Sequence, residues 1–436
     1  MPKLAPKGNM FSSPALAPLR RRDFRLLIGG QAISWIGNNF YEIAVMWLVL
    51  SLTGSTAAMA GVAAVSTIPQ LVFSPLAGVW ADRVNRRLLA LTMDFTRGVV
   101  IVGLPTLAVV HHLAVWQIYV TAFVLFTLFT FFIPAREAML PNIVPDEELP
   151  AANAIFQATI SVSLFIGFAL GGIVVAAVGV VPALYLDALS FAGSVITLAL
   201  IQTSGRVAET ARENAGALKE AVAGLRFVKR QPSLFAIFLF SGVLGVLVGP
   251  LLILPAPFSR TVLHAGARGY GLLEASFMLG NLVGAIGAGA MTRVKHVGRL
   301  LIVACAVAGV LLAAMSYMNL LPTAALFYAA IGVVAGGINV PLMTLTQRLT
   351  PDEMRGRVLS LMIMVSSAAM PLSVAVGGVL AQQVGAAAMY RIVGVLFAAA
   401  GVWFVFTPLA RVTSDAAEEA PAEDVHLAVS SDPSPA

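Results

Sequence analysis

The chain has 436 residues, of which 59% are hydrophobic and 11% charged, with a mean hydropathy of +0.90 and one cysteine, Cys305. This much apolar surface excludes a soluble domain of that length, and a lone cysteine excludes disulfides and cysteine metal sites. The formal net charge of +6 comes from basic residues scattered over polar turns, so it points to an anionic lipid surface and not to nucleic acid.

Residues 1–19, rich in Pro, Ala and Ser, read as a disordered segment. Apolar stretches follow at 25–52, 57–80, 88–110, 114–134, 153–178, 181–201, 233–257, 269–291, 299–318, 322–346, 358–382 and 388–409. Each approaches the ~20 residues that cross a bilayer as a helix, and the alternation of a β-barrel is absent. The expectation is an all-α integral membrane protein of twelve transmembrane helices in two six-helix halves, 20–201 and 233–410, with a disordered tail over 411–436. Between the halves, 202–232 mixes Arg206, Arg212, Lys219, Arg226 and Lys229 with Glu209, Glu213 and Glu220. Leu218, Val222, Leu225 and Val228 recur there at helical spacing, the pattern of an amphipathic helix lying on a membrane face.

An even number of spans puts both termini on one side. That side collects most of the cations, from Lys3, Lys7 and Arg20 through Arg83, Arg86, Arg87, Arg136 and Arg293 to Arg411, while only Arg260, Arg268 and Arg391 fall opposite. The positive-inside rule then makes both termini and the linker cytoplasmic. The first span is too long and too polar for a cleaved signal peptide.

The chain also repeats. Pro145-Asp146-Glu147 returns as Pro351-Asp352-Glu353, Gly171-Gly172 as Gly377-Gly378 and Gly179 as Gly385, each 206 residues later, and Asp82-Arg83-Val84 returns weakly as Thr292-Arg293-Val294. Two halves of like orientation follow from that order.

Between the second and third stretches the chain reads Gly78-Val79-Trp80-Ala81-Asp82-Arg83-Val84-Asn85-Arg86-Arg87-Leu88, a charged seven-residue turn over 81–87. Further on come Pro134-Ala135-Arg136-Glu137-Ala138-Met139-Leu140-Pro141 and Leu349-Thr350-Pro351-Asp352-Glu353-Met354-Arg355-Gly356-Arg357-Val358. Together these strings resemble the loop signatures of the major facilitator superfamily, closest to the bacterial branch that includes macrolide and enterobactin exporters, over about residues 20–410. The resemblance implies a monomeric carrier that works by alternating access, without cofactor or metal. It makes Asp82, with Arg83, Arg86 and Arg87, a conformational latch, although anchoring of the topology explains the three arginines equally well. Asn85 stands where the family usually has glycine, and asparagine tolerates a left-handed turn. Gly167-Phe168-Ala169-Leu170-Gly171-Gly172 is similar to the family's antiporter motif with Phe168 in place of proline, and close helix packing accounts for Gly167, Gly171 and Gly172 just as well.

Charges inside the spans need a partner, water or a task. Asp94 and Arg97 stand three apart and can pair with each other; Asp187, Glu274 and Arg391 lie near outer ends, within reach of water. Glu42 falls close to the middle of the first span, with no cation on the same helix. Gln31, Ser34, Trp35, Asn38 and Glu42 share one helical face, a polar stripe aimed at a cavity. A carboxyl so placed can load a proton at near-neutral pH, unless a cation on another helix neutralises it. Glu274 with Asn281, and Asn153 with Gln157 and Ser161, make further polar lines. Phe123, Phe126, Phe129, Phe131 and Phe132 crowd the fourth span, where lipid contact or packing accounts for most of them, and a cavity lining poor in charge suits hydrophobic or amphipathic solutes. There is no Gly-rich ATP loop, no metal-spaced cluster and no nucleophile elbow, so the chain is not read as an enzyme. The expectation is a proton-coupled exporter of a hydrophobic or amphipathic small molecule, a drug or siderophore-like product. Movement of lysophospholipid or another solute is the alternative, and a scaffold without transport, or an enzyme, is more remote.

Overall fold

The computed structural model describes residues 14–203, 217–290 and 295–413, and every described element is helical. In chain order the α-helices are α1 (Arg22–Thr53), α2 (Thr56–Arg83), α3 (Arg86–Val109), α4 (Val115–Ile143), α5 (Leu149–Val178), α6 (Val180–Leu200), α7 (Ala217–Arg230), α8 (Pro232–Val248), α9 (Pro255–Thr261), α10 (Gly266–Ala290), α11 (Val297–Met315), α12 (Leu321–Arg348), α13 (Asp352–Ala368), α14 (Met370–Val384) and α15 (Ala386–Phe404). Among the described residues, eleven segments are long and apolar enough to cross a membrane, with Pro232–Thr261 and Met354–Val384 each counted as one. The segment outside that set is α1, 32 residues long, whose hydropathy is lowered by Gln31, Ser34, Asn38, Asn39 and Glu42. The seventh and eleventh stretches, expected as single helices, are broken where Pro250, Pro255 and Pro371 withhold backbone N–H groups.

Other prolines do not break their helices. The fourth stretch, expected to end at Pro134, continues through Pro134 and Pro141 to Ile143, so Arg136 and Glu137 stand on a helix and not in a loop. Within a bilayer, neighbouring groups re-satisfy the backbone that proline frees. The segment read as disordered over 1–19 includes a 3-10 helix, Pro14–Arg20, packed on α1 and α5. At the other end Pro408–Arg411 is also 3-10, and Gly298 donates its N–H to the Val412 carbonyl at 3.2 Å. The expectations for 1–13, 204–216 and 414–436, and for Thr292-Arg293-Val294, concern residues outside the described ones. Of the linker, α7 packs against α8 and α13 with Phe227 and Val228 buried, so its described apolar residues face protein. The turn before α1 is tied to the α4–α5 turn by Arg21, whose Nε donates to Glu148 Oε2 at 2.9 Å and holds that carboxyl below its usual range.

The chain divides into two compact units. Unit 1 takes the described residues within Met1–Gly54, Val65–Ala211 and Gly266–Ala275; unit 2 takes those within Ser55–Ala64, Arg212–Ala265 and Ser276–Ala436. In unit 1, α1 packs on α5 and α6, and α3 on α4 and α6, with Phe24, Leu27, Leu89, Phe132 and Met139 in one buried cluster. In unit 2, α11 packs on α12 and α15, and α8 on α13.

The sequence repeat is also a backbone repeat. Gly179 and Gly385 both hold positive φ, +89° and +83°, and each joins one helix directly to the next, a conformation open to glycine. A Cβ on Gly172 would lie 2.7 Å from the Gly271 Cα and 2.9 Å from the Ala267 carbonyl oxygen, so α5 and the start of α10 cross backbone to backbone. Its counterpart Gly378 has the methyl of Ala60 and the Thr56 carbonyl against it, and the Thr56 N–H donates to Gln382 Oε1 at 2.6 Å. The second glycine of each pair thus does the same work in its unit, Gly172 seating the start of α10 in unit 1 and Gly378 the start of α2 in unit 2.

Candidate functional site

Three helices of unit 1 bring buried polar groups together. Arg97 on α3 donates through Nη1 to Asp94 Oδ1 at 3.2 Å and through Nη2 to Asn38 Oδ1 at 3.0 Å, so α1 and α3 share one guanidinium. Asp94 Oδ2 accepts from Ser194 Oγ on α6 at 2.6 Å. The guanidinium lies 4.4 Å from the Phe191 ring centroid and 5.0 Å from that of Phe129, faces that favour a desolvated cation. Asp187, expected near water at an outer end, is buried: it accepts from Ser190 Oγ at 3.3 Å, and Arg97 acts on it electrostatically. Gly37 makes room for it, because a Cβ there would stand 2.8 Å from Asp187 Oδ1. One cation therefore serves two buried carboxyls, and Tyr41 Oη and Arg97 Nε, also buried, have no hydrogen-bond partner among the described residues.

The polar stripe of α1 divides along its length. Gln31 and Ser34 are buried, Trp35 sets its ring edge-on to Phe129 at 5.9 Å, and Asn38 is committed to Arg97. Glu42 alone is exposed, and among the described residues it makes no hydrogen bond or ion pair. The described group that reaches it from another helix is a second acid: Glu274 of α10, which is buried and feels the charge of Glu42. The packing of α10 on Gly172 puts that second carboxyl into unit 1. Asn281, read with Glu274 as one polar line, belongs to unit 2, where its backbone packs on Gly332 and Gly336 of α12. Gln157 is exposed on α5, one turn after Asn153. Gly167 and Gly171 face α1, against Asn39 and Phe40. Phe73, Phe123, Phe131 and Trp80 form an aromatic chain beside α2 and α4.

The charged turn is shorter than its sequence suggests: α2 runs to Arg83 and α3 starts at Arg86, leaving Val84 and Asn85 between them. Asn85 holds φ −56° and not a left-handed turn, and its side chain accepts the Leu88 N–H at 3.1 Å as the cap of α3. Arg86 donates to the Ala138 carbonyl at 3.1 Å; Arg87 donates to the Leu198 carbonyl at 2.9 Å and to that of Ala199, closing the end of α6. Asp82 and Arg83 are exposed, and Asp82 makes no hydrogen bond or ion pair among the described residues.

Ser190 and Ser194 escaped sequence reasoning, although Asp187, Ser190 and Ser194 stand at steps of three and four on an otherwise apolar helix and mark one face. No group of three or more potential metal ligands occurs among the described residues.

Two helical units that repeat the same glycine turns and bury charged groups among their helices fit a major facilitator superfamily transporter. Residues 13–435 match the family model described as transmembrane secretion effector, and the chain belongs to that family of multi-pass membrane transporters. It is 28% identical over 401 residues to the multidrug efflux pump Tap of Mycolicibacterium fortuitum, covering 90% of this chain and 97% of that one. It is 23% identical to macrolide efflux protein A of Streptococcus pyogenes, covering 86% and 93%. In fold it is similar to a bacterial homologue of the iron transporter ferroportin in an inward-facing state, with a TM-score of 0.69 at 16% identity over 88% of this chain and 98% of the other.

Proposed function

We propose that the protein is a proton-coupled secondary exporter of hydrophobic or amphipathic small molecules, drugs among them, acting as a monomer in the bacterial inner membrane with both termini cytoplasmic. The observation that carries this reading is Glu42: an open carboxyl far inside the longest helix, with no cation bonded to it among the described residues and a second acid, Glu274, within electrostatic reach. Two such carboxylates repel in a low-dielectric setting, and a proton on one relieves the repulsion. A proton gained on one side and released on the other supplies a driving force that an ATP loop would otherwise have to provide. The aromatic chain of Phe73, Phe123, Phe131 and Trp80 suits apolar solutes, and the names of the relatives support efflux of drugs.

Asp82 acts in this reading as the conformational latch. It is exposed and unbonded among the described residues while Arg86 and Arg87 hold helix ends, so the aspartate is free to change partners as the carrier moves. The exported class is tested by screening a compound panel in inverted vesicles with an imposed proton gradient. Gradient-dependent accumulation of lipophilic compounds is expected; accumulation that persists when the gradient is collapsed would remove proton coupling, and accumulation of sugars alone would remove the substrate class.

A further inference from the structure

Arg136 stands on α4 seven residues before the helix ends at Ile143, and it is only 5% exposed. Its Nη2 donates to Glu137 Oε1 at a long 3.3 Å, toward a carboxylate that is itself 65% exposed. Nε and Nη1 are buried and have no hydrogen-bond partner among the described residues. The other carboxyl that reaches it electrostatically, Asp94, is already bonded to Arg97 and Ser194. The rings of Phe156 and Phe132 stand 4.8 and 5.8 Å from the guanidinium, giving it apolar surroundings.

Arginines that merely fasten this end of unit 1 look different: Arg86 and Arg87 direct their N–H groups to the carbonyls of Ala138, Leu198 and Ala199. A desolvated guanidinium with donors left over is costly unless something accepts from them. Arg136 lies at the wall of a cavity of about 530 Å³, within the range of small-ligand sites. Asn153 and Gln157, both exposed, bring amide groups to it, Leu27, Leu140 and Phe156 supply apolar surface, and Glu137 also lines it, so an incoming anion competes with that carboxylate for Arg136 Nη2. All of these residues belong to unit 1. Free N–H groups on a planar guanidinium match the paired oxygens of a carboxylate or phosphate, and the apolar wall beside them matches a hydrocarbon body.

We propose that this cavity binds an anionic head group, a phosphate or carboxylate, carried on an apolar body, with Arg136 holding the anion and Asn153 and Gln157 donating beside it. Two sources share that chemistry: a phospholipid of the adjoining leaflet, and an amphiphilic anion entering from water. The site does not depend on Glu42 or on proton coupling.

The test measures binding of dodecyl phosphate, dodecanoate and dodecyltrimethylammonium to the purified full chain, in nanodiscs of phosphatidylcholine with and without phosphatidylglycerol. The two anions are expected to bind and the cation of equal tail length is not. Arg136→Gln is expected to weaken dodecyl phosphate about tenfold or more, the size of a lost charge-assisted hydrogen bond, and Arg136→Lys by less. Gln157→Glu, at an exposed position that the fold tolerates, puts a like charge at the rim and is expected to weaken it as well, which keeps the test open should Arg136→Gln fold poorly. Competition by phosphatidylglycerol assigns the site to lipid, and its absence to a soluble amphiphile. Unchanged affinity in both variants, equal binding of the cationic probe, or displacement by inorganic phosphate as effective as by dodecyl phosphate would overturn the proposal.

Discussion

Gly172→Ala tests the crossing on which unit 1 is built. The added methyl would sit 2.7 Å from the Gly271 Cα, 2.9 Å from the Ala267 carbonyl oxygen and 3.0 Å from the Gly271 nitrogen, where ordinary contact begins at 3.4 Å. All three are backbone atoms, so no side chain can swing away and α5 and α10 must part by several tenths of an ångström. Overpacking of this kind costs about 1–3 kcal/mol, and the better helix propensity of alanine returns at most about 1. Set against the full propensity gain, the net expectation is a loss of about 0–2 kcal/mol. Gly103→Ala on α3 is the control, because its Cβ would meet nothing within 4 Å, and it should gain about 0.5–1 kcal/mol. In the repeat, Gly378→Ala meets the Ala60 methyl, which Ala60→Gly removes; the pair should recover part of what the single variant loses. Thermal unfolding of the purified variants in one detergent gives the comparison. A Gly172→Ala protein that melts above wild type, as Gly103→Ala should, would refute the crossing.

Arg97→Gln leaves Asp94 and Asp187 buried without their cation, so it should destabilise by about 3–5 kcal/mol, while Asp94→Asn, which leaves Arg97 with Asn38 and near Asp187, should cost less. The order of their unfolding midpoints checks this, and equal losses would deny Asp187 a share in the cluster. Asp82→Asn should leave the unfolding midpoint within a degree or two of wild type, since the carboxylate is exposed and unbonded among the described residues, yet shift the labelling of cysteines placed along α1 and α10. Unchanged labelling would count against the latch.

Much of this fold was legible because a bilayer demands long apolar runs and tolerates few charges. The helices, their order and the repeat could be read from residues such as Gly172 and Gly378, whose small size is a backbone requirement visible without coordinates. The pairing of Asp94 with Arg97 was legible from their spacing on one helix. What failed to show was anything decided between helices. Pro134 reads as a helix end, yet here the helix runs on and carries Arg136 into the interior, because proline in a packed membrane helix costs less than it does in water. Asp187 reads as an outer residue by its count from the helix end, but the space left by Gly37 draws it inside. Asn38 reads as cavity lining, and only the fold reveals that Arg97 has claimed it. That Glu274 reaches Glu42 follows from the seating of α10 on Gly172, which no single-helix pattern encodes.

The central claim rests on whether Glu42 moves a proton. Glu42→Gln preserves size and hydrogen bonding but cannot titrate. In proteoliposomes it should abolish accumulation of a transported compound against its gradient under an imposed proton gradient, while leaving binding and downhill exchange of the same compound in place. Uphill transport by Glu42→Gln at the wild-type rate, with the wild-type pH dependence, would contradict the account.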